Sequence, residues 1–292
     1  MAFPSGFEHI VKEQEPLARH TWLRLGGPAR YFVEPTTRQE LIAVVQRAHE
    51  AGLPLRLLGG GSNLLVRDEG VEGVVLHLTA AEFGAIQVQG NRLTAGGGAR
   101  LGHVISAAVR EGLAGLEELV GIPGTLGGAL HGNAGTQNRD IGQGTSSATM
   151  LTREGKLVTK SRPDLTFAYH YSSLDELVIL EATFELESGD PRTLTKRMQQ
   201  HWIGQRAVQP LADQNVARMF KDPPGSTAAE LLEQAGLKTV RQGDVELSSR
   251  NSNFVVAGAK ARSEDVLSLI DDLRKKVKDR TSVELELALD VW

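Results

Sequence analysis

The sequence predicts an α+β fold, with a large N-terminal region of mixed sheets and helices preceding a smaller α+β domain. Three observations carry that expectation. Residues 30–58 read as strand–helix–strand, whereas the strands that follow come as hairpins. Beyond residue 190 the chain reads as helices at 193–207, 227–236 and 264–278 with a closing strand. Glycine is abundant, 32 residues or about 11% against a usual ~7%. It is clustered at Gly26–Gly27, Gly59–Gly61, Gly96–Gly98 and between Gly112 and Gly144, then falls to ordinary content after residue 150. The shift suggests a ligand-cradling N-terminal region, 1–190 with an internal split near residue 70, and a more conventional domain over 191–292. The boundary is expected near Ser188–Pro191.

Each element has its own warrant. "RYFVEP" (30–35) is strand-like. A helix follows over 36–52, where Thr37 and Glu40 fit a capping box, Leu41, Val44, Val45 and Ala48 share a face, and Gly52 fits the exit. "LPLRLLG" (53–59) reads as a buried strand and "GVVLHL" (73–78) as another. "AIQVQGNRLTAG" (85–96) turns back at Gly90–Asn91, and "ATMLTREGKLVTK" (148–160) at Glu154–Gly155. Between these hairpins "ARLGHVISAAVREG" (99–112) is a helix, and "ELVILEATFELE" (176–187) is a long central strand. Thr227 and Glu230 form a second capping box, with Gly236 at that helix's exit. The last helix presents Val266, Leu269, Ile270, Leu273 and Val277. "SVELELALDV" (282–291) alternates like a strand, burying Val283, Leu285, Leu287 and Leu289 and turning Glu284 and Glu286 outward.

Composition excludes several function classes. A net charge of −4 and no Lys/Arg run of four residues give no polyanion-binding signature, so neither nucleic acid nor an anionic membrane is expected as partner. The absence of cysteine removes disulfides, thiolate metal sites and a cysteine nucleophile, and no metal site is expected. The opening "MAFPSGFEHIVKEQEP" is polar and acidic, unlike a signal peptide, and no apolar run approaches ~18 residues. A cytoplasmic monomer acting on small molecules is expected.

The glycines raise the chemical question. A backbone loop that binds phosphate needs residues without Cβ so that successive N–H groups can converge on an anion. "GGGSNL" and "GGGARL" both fail G-x-G-x-x-G at the third glycine, and no glycine–lysine–Ser/Thr loop exists. Unrelated glycine turns would explain any one cluster equally well. The segment "GLEELVGIPGTLGGALHGNAG" (115–135), with Gly121-Ile122-Pro123-Gly124, then Gly127-Gly128, then Asn133-Ala134-Gly135, is far more specific.

Together with "LLGGGSNLLV" (57–66), that segment resembles the flavin-binding fold of the vanillyl-alcohol-oxidase type. More narrowly, "HTWLRLGGPARYFVEP", "FAYHYSS", "RAVQP", "ARMFKDPPGSTAAELLEQAGLK", "RNSNFVVAGAKA" and "VELELALDV", in that order over roughly residues 20–292, resemble the UDP-N-acetylenolpyruvoylglucosamine reductase family of peptidoglycan synthesis. The resemblance implies a noncovalent FAD. Its pyrophosphate would lie on Leu58, Gly59, Gly60, Gly61, Ser62, Asn63 and Leu64, and its ring along Gly121, Ile122, Pro123, Gly124, Thr125, Gly127, Gly128, Asn133, Ala134 and Gly135. Asn133 is expected to be the polar side chain nearest the cofactor. NADPH is the implied co-substrate, and the implied reaction reduces UDP-N-acetylglucosamine enolpyruvate to UDP-N-acetylmuramate.

That chemistry needs charge stabilisation beside the substrate carboxylate and a general acid. The family supplies an Arg in "F-x-Y-R-x-S", a Ser in "G-S-x-F-K-N-P" and a Glu in "L-E-x-E". This sequence departs twice: His170 stands at the Arg position after Tyr169, and Arg218 at the Ser position, with Asp222 replacing the Asn. Glu286 fits the catalytic glutamate. A guanidinium stays protonated, so Arg218 cannot be the acid, but it could supply the cation lost at position 170. Glu286, His170, a water or Ser226 then remain as proton donors, although Ser226 also suits a helix start. Tyr169, Arg206, Lys221, Arg250 and Asn251 are the implied sugar-nucleotide contacts. Besides the reductase, two readings stay open: another flavin-dependent enzyme of the same fold, and a degenerate homologue that binds FAD or a sugar nucleotide without turnover.

Overall fold

The computed structural model describes residues 3–136, 138–210 and 215–292. The chain divides into two compact units. The larger comprises Met1–Gln14, Arg30–Gly60 and Glu72–Gly204; the smaller comprises Glu15–Ala29, Gly61–Val71 and Gln205–Trp292. This is not a contiguous split at Ser188–Pro191, and burial explains the difference. Helix α4 (Pro191–Val208) begins beyond that point, yet its Leu194 joins the core of the larger unit, with Met198 packed against it. Leu23, Leu25 and Leu65, far away in sequence, join the core of the smaller unit.

In the larger unit, helix α1 (Arg38–Glu50) starts as its sequence requires: Thr37 Oγ1 accepts from Glu40 N at 3.2 Å. The Glu40 carboxylate reaches one residue further back than a standard capping box, accepting from Thr36 N at 2.8 Å and Thr36 Oγ1 at 2.7 Å. Leu41, Val44, Val45 and Ala48 are fully buried against Val33, Val74 and Leu76. The strands Leu55–Leu58 and Val71–His77 pair in parallel, as strands separated by a crossover can.

A second sheet of the same unit has five antiparallel strands in the order Leu157–Ser161, Thr145–Leu151, Val178–Glu185, Arg92–Gly96, Ile86–Gln89. The expected long strand is its centre, and both expected hairpins form. Helix α2 (Leu101–Arg110) packs Leu101, Val104, Ile105 and Ala108 onto it. The short helix α3 (Leu126–His131) was not foreseen; two consecutive glycines argue against a helix. Thr125 caps it by accepting from Gly128 N at 3.3 Å, and the buried Leu126 and Leu130 tie it to the core.

In the smaller unit an antiparallel sheet runs in the order Val216–Arg218, Phe254–Ala257, Val245–Leu247, Arg241–Gln242. Helices α5 (Ala228–Gln234) and α6 (Ser263–Thr281) share its core, and all five expected α6 positions are buried. The Thr227–Glu230 capping box closes in both directions. The closing strand over 282–291 does not form as expected: only Asp290–Val291 pairs as a strand, parallel to Leu64–Leu65, and Leu287 makes an isolated bridge to Phe220. The pairing is confined to the bonds that flank this bridge, Ala288 N to Met219 O at 2.8 Å and Lys221 N to Glu286 O at 2.9 Å. The next donor in that register would be Pro223, which has no N–H, while Phe220 turns its own N–H and carbonyl the other way, to Asn253. The alternation still sorts side chains, leaving Glu284 and Glu286 exposed and Leu285 and Leu289 buried.

Candidate active site

Within the larger unit, two glycine loops lie back to back. A Cβ on Gly60 would stand 2.6 Å from Gly124 Cα, and one on Gly59 would stand 2.9 Å from Thr125 Oγ1. The absence of side chains at Gly59 and Gly60 is therefore fixed first by the chain's own second loop. What faces outward is backbone. Among the described residues, the N–H groups of Gly59 and Gly60 make no hydrogen bond, and Gly60 and Gly128 are exposed. A Cβ on Gly128 would meet only Thr125 Oγ1, at an ordinary 3.5 Å. Gly121–Thr125 is half-buried, Leu58 is buried, and Gly135 bridges Asp140 beside the half-buried Ala134.

Asn133 has partners within the protein. It is 4% exposed, and its amide is engaged within the unit at both ends: Nδ2 donates to Ala168 O at 2.9 Å and Oδ1 accepts from Gly142 N at 3.1 Å. It braces the "FAYHYSS" hairpin. That hairpin pairs Phe167–Ala168 with Tyr171–Ser172 and turns at Tyr169–His170. Tyr169 is exposed, His170 adopts φ +50°, and their rings meet edge to face at 4.4 Å.

In the smaller unit, Gly61 has φ +64° and faces the His20 carbonyl, so a side chain there is excluded twice. Leu64 is buried in the two-strand pairing, and Asn63 Nδ2 donates to Ala288 O at 2.7 Å. Among the described residues, the main-chain N–H groups of Gly61, Ser62 and Asn63 make no hydrogen bond.

The departing residues Arg218 and Asp222 also lie in this unit, and they are partners. Arg218 Nη2 and Asp222 Oδ2 are 2.6 Å apart, and Arg218 Nε donates to Phe220 O at 3.2 Å. Lys221 Nζ lies 3.4 Å from Glu286 Oε2, with Lys221 N donating to Glu286 O at 2.9 Å. The Glu286 side chain is 75% exposed. Ser226 Oγ donates to Glu230 Oε2 at 3.0 Å, consistent with its place at a helix start. Arg250 donates through Nη1 to Arg206 O at 3.3 Å, and Asn251 Oδ1 accepts from Asn253 N at 2.9 Å. Arg250 also lines a cleft of about 480 Å³ with Arg241, Ser248 and Pro210. Of these, Arg241 and Ser248 carried no recognisable signal in the sequence. Among the described residues, no cluster of three or more His, Asp or Glu side chains could hold a metal.

Exposed, side-chain-free backbone with unused N–H groups suits a ligand rich in anionic oxygen, and the residues present therefore fit a dinucleotide pyrophosphate. Residues 29–161 match the FAD binding domain, and the class of protein is a flavin-dependent oxidoreductase. Residues 209–292 match the C-terminal domain of UDP-N-acetylenolpyruvoylglucosamine reductase. The reductase of Rhodopirellula baltica is 40% identical over 99% of this chain and 95% of its own length. Reductase 2 of Symbiobacterium thermophilum is 41% identical over 97% and 92%. The crystal structure of the reductase (MurB) from Thermus caldophilus superposes with a TM-score of 0.82 at 34% identity, covering 97% of this chain and 99% of that one. The chain belongs to the UDP-N-acetylenolpyruvoylglucosamine reductase (MurB) family.

Proposed function

We propose that this protein reduces UDP-N-acetylglucosamine enolpyruvate to UDP-N-acetylmuramate at the expense of NADPH, a step in the synthesis of peptidoglycan precursors. The supporting observation is that a glycine-loop region of the FAD-binding type and the family's own C-terminal domain occur in one chain. FAD, when bound, carries the hydride from NADPH to the enolpyruvyl double bond. The main-chain N–H groups of Gly59 to Asn63 hold its pyrophosphate, and Gly121 to Gly128 let the backbone lie along its ring. The chain has no cysteine, and the cofactor is held noncovalently.

The remaining work falls to side chains. Addition of hydride to the terminal vinyl carbon places negative charge next to the substrate carboxylate, and Arg218 meets that charge with its free guanidinium edge. Glu286 delivers the proton to the adjacent carbon; Lys221 Nζ, 3.4 Å from its Oε2, orients the carboxyl group. Lys221, Arg206, Arg250 and Asn251 bind the diphosphate. A monomer acting in the cytoplasm completes the proposal; no helix among the described residues is long and apolar enough to cross a membrane. NADPH consumption that requires the enolpyruvyl sugar nucleotide, with a product two mass units heavier than that substrate, is the expected result. NADPH consumption indifferent to the sugar nucleotide would contradict it.

A further inference from the structure

We propose that Asp222 is a positioning residue for Arg218. It holds the guanidinium so that the Nη1 edge receives the carboxylate side of the enolpyruvyl substrate. The inference rests on the reductase reading above and assigns a role to a residue outside the site described there.

The geometry forms a chain of fixed groups. Asp222 Oδ1 accepts from Ala228 N at 2.9 Å, the first residue of α5, so a helix start sets the carboxylate in place. Its Oδ2 then lies 2.6 Å from Arg218 Nη2. On the same side of the guanidinium, Nε donates to Phe220 O at 3.2 Å, and Phe220 is itself held at both main-chain atoms by Asn253, which is 3% exposed. Two of the three guanidinium nitrogens are thus directed by groups that cannot easily move. Nη1 makes no hydrogen bond among the described residues. A planar fork pinned along one edge presents the other edge in a single orientation, which is how Arg recognises a carboxylate.

The pair is poorly suited to a purely stabilising role. Both side chains are about one-third exposed (31% and 33%), where ion pairs add little to folding. The pair is also close to electrically neutral as a unit, so Arg218 acts through directed hydrogen bonds rather than through a long-range field. Lys, a point charge without the fork, should not replace it. The residue types at 218 and 222 are accordingly interdependent: an arginine at the first requires a carboxylate at the second.

A double-mutant cycle tests this on the full-length flavin-loaded protein. Asp222→Asn keeps an oxygen for Ala228 N, and so the start of α5, while removing the charge that aligns Arg218. Its kcat for the enolpyruvyl sugar nucleotide is expected to fall about 10–100-fold with little change in KM, because the interaction strengthens as charge develops. Asp222→Glu, which restores the charge, is expected to recover most of the loss. In an Arg218→Lys background, itself impaired to a similar degree, Asp222→Asn should cost less than about twofold, since partners acting as one unit are not additive. The assignment is overturned if Asp222→Asn turns over normally, or if its loss is equally large in the Arg218→Lys background. If Asp222→Asn fails to fold, the comparison passes to Asp222→Glu: a tenfold or greater loss of kcat that is equally large in the Arg218→Lys background would again overturn it. Wild-type protein that does not turn over the sugar nucleotide would defeat the reductase reading instead, and so separates the two failures.

Discussion

Gly60 and Gly128 sit in the two loops assigned to FAD, and the structure assigns them opposite responses to the same added methyl group. At Gly60 the new Cβ would lie 2.6 Å from Gly124 Cα and 3.3 Å from Gly124 C. Ordinary carbon contacts need ~3.5–4.0 Å, so the loops must separate by roughly 1 Å, and both partners are backbone. Overpacking of that kind costs about 1–3 kcal/mol. Gly60→Ala should therefore lower the thermal midpoint of the cofactor-free protein and weaken FAD together. At Gly128 the Cβ meets only Thr125 Oγ1, at 3.5 Å, and the residue is helical. Removing the entropic penalty of a helical glycine should stabilise the cofactor-free protein by about 0.5–1 kcal/mol. On the cofactor side the same methyl group occupies the exposed face along which we propose that the ring lies, so FAD affinity should fall at least about tenfold. Differential scanning fluorimetry of cofactor-free protein, with FAD titration by fluorescence quenching, reads both quantities. Gly128→Ala that binds FAD as tightly as wild type would refute the placement of the ring along α3, and Gly60→Ala with unchanged melting would refute the contact between loops.

Further expectations concern Glu286, Arg218, His170 and α1. Glu286→Gln and Arg218→Ala should each slow the step that consumes the sugar nucleotide by at least ~10²-fold while sparing NADPH oxidation, which needs neither proton delivery nor enolate stabilisation. His170→Ala should cost less than either; stopped-flow traces of the two half-reactions check the order, and a crippled His170→Ala beside a normal Arg218→Ala would reverse the assignment of the cation. The Glu40 carboxyl is drawn from an ordinary 4.5 to about 2, first by its hydrogen bond with His9 and then by those with Thr36. A folded value below the unfolded one stabilises at neutral pH, and the gain is lost as pH falls from about 4.5 towards 2. Glu40→Gln should therefore melt below wild type at pH 7, with the gap closing across that window; a constant gap would show that ionisation of Glu40 contributes nothing.

Much of the fold was legible because local chemistry and tertiary packing agree. The hairpin at Gly90–Asn91 combines period-two alternation with a glycine at φ +61°, and α6 carries five apolar residues on one stripe, all of them buried. Where they disagree, the sequence misled. Gly127 and Gly128 read as loop, yet a threonine cap and two buried leucines make a helix there. The alternation over 282–291 sorts side chains correctly, but how far a ladder runs depends on the facing segment, where Pro223 has no N–H to continue the bonds at Met219 and Lys221. No local signal could assign Leu23, Leu25 and Leu65 to a core made mostly of residues beyond 216. In the site, the glycines were visible and their immediate cause was not: the second loop, rather than the ligand alone, excludes the side chains. Asn133 stood out in the sequence as a polar side chain beside the expected cofactor, but not as the brace of a hairpin 35 residues away. Asp222 was visible as a substitution, and only its distance to Arg218 gives it a role.

The most direct test is an anaerobic titration followed by flavin absorbance. The FAD-loaded protein is first bleached with one equivalent of NADPH, and UDP-N-acetylglucosamine enolpyruvate is then added. The expected result is full return of the oxidised flavin spectrum, with one equivalent of UDP-N-acetylmuramate formed. A flavin that NADPH bleaches and the enolpyruvyl sugar nucleotide leaves bleached would contradict the account.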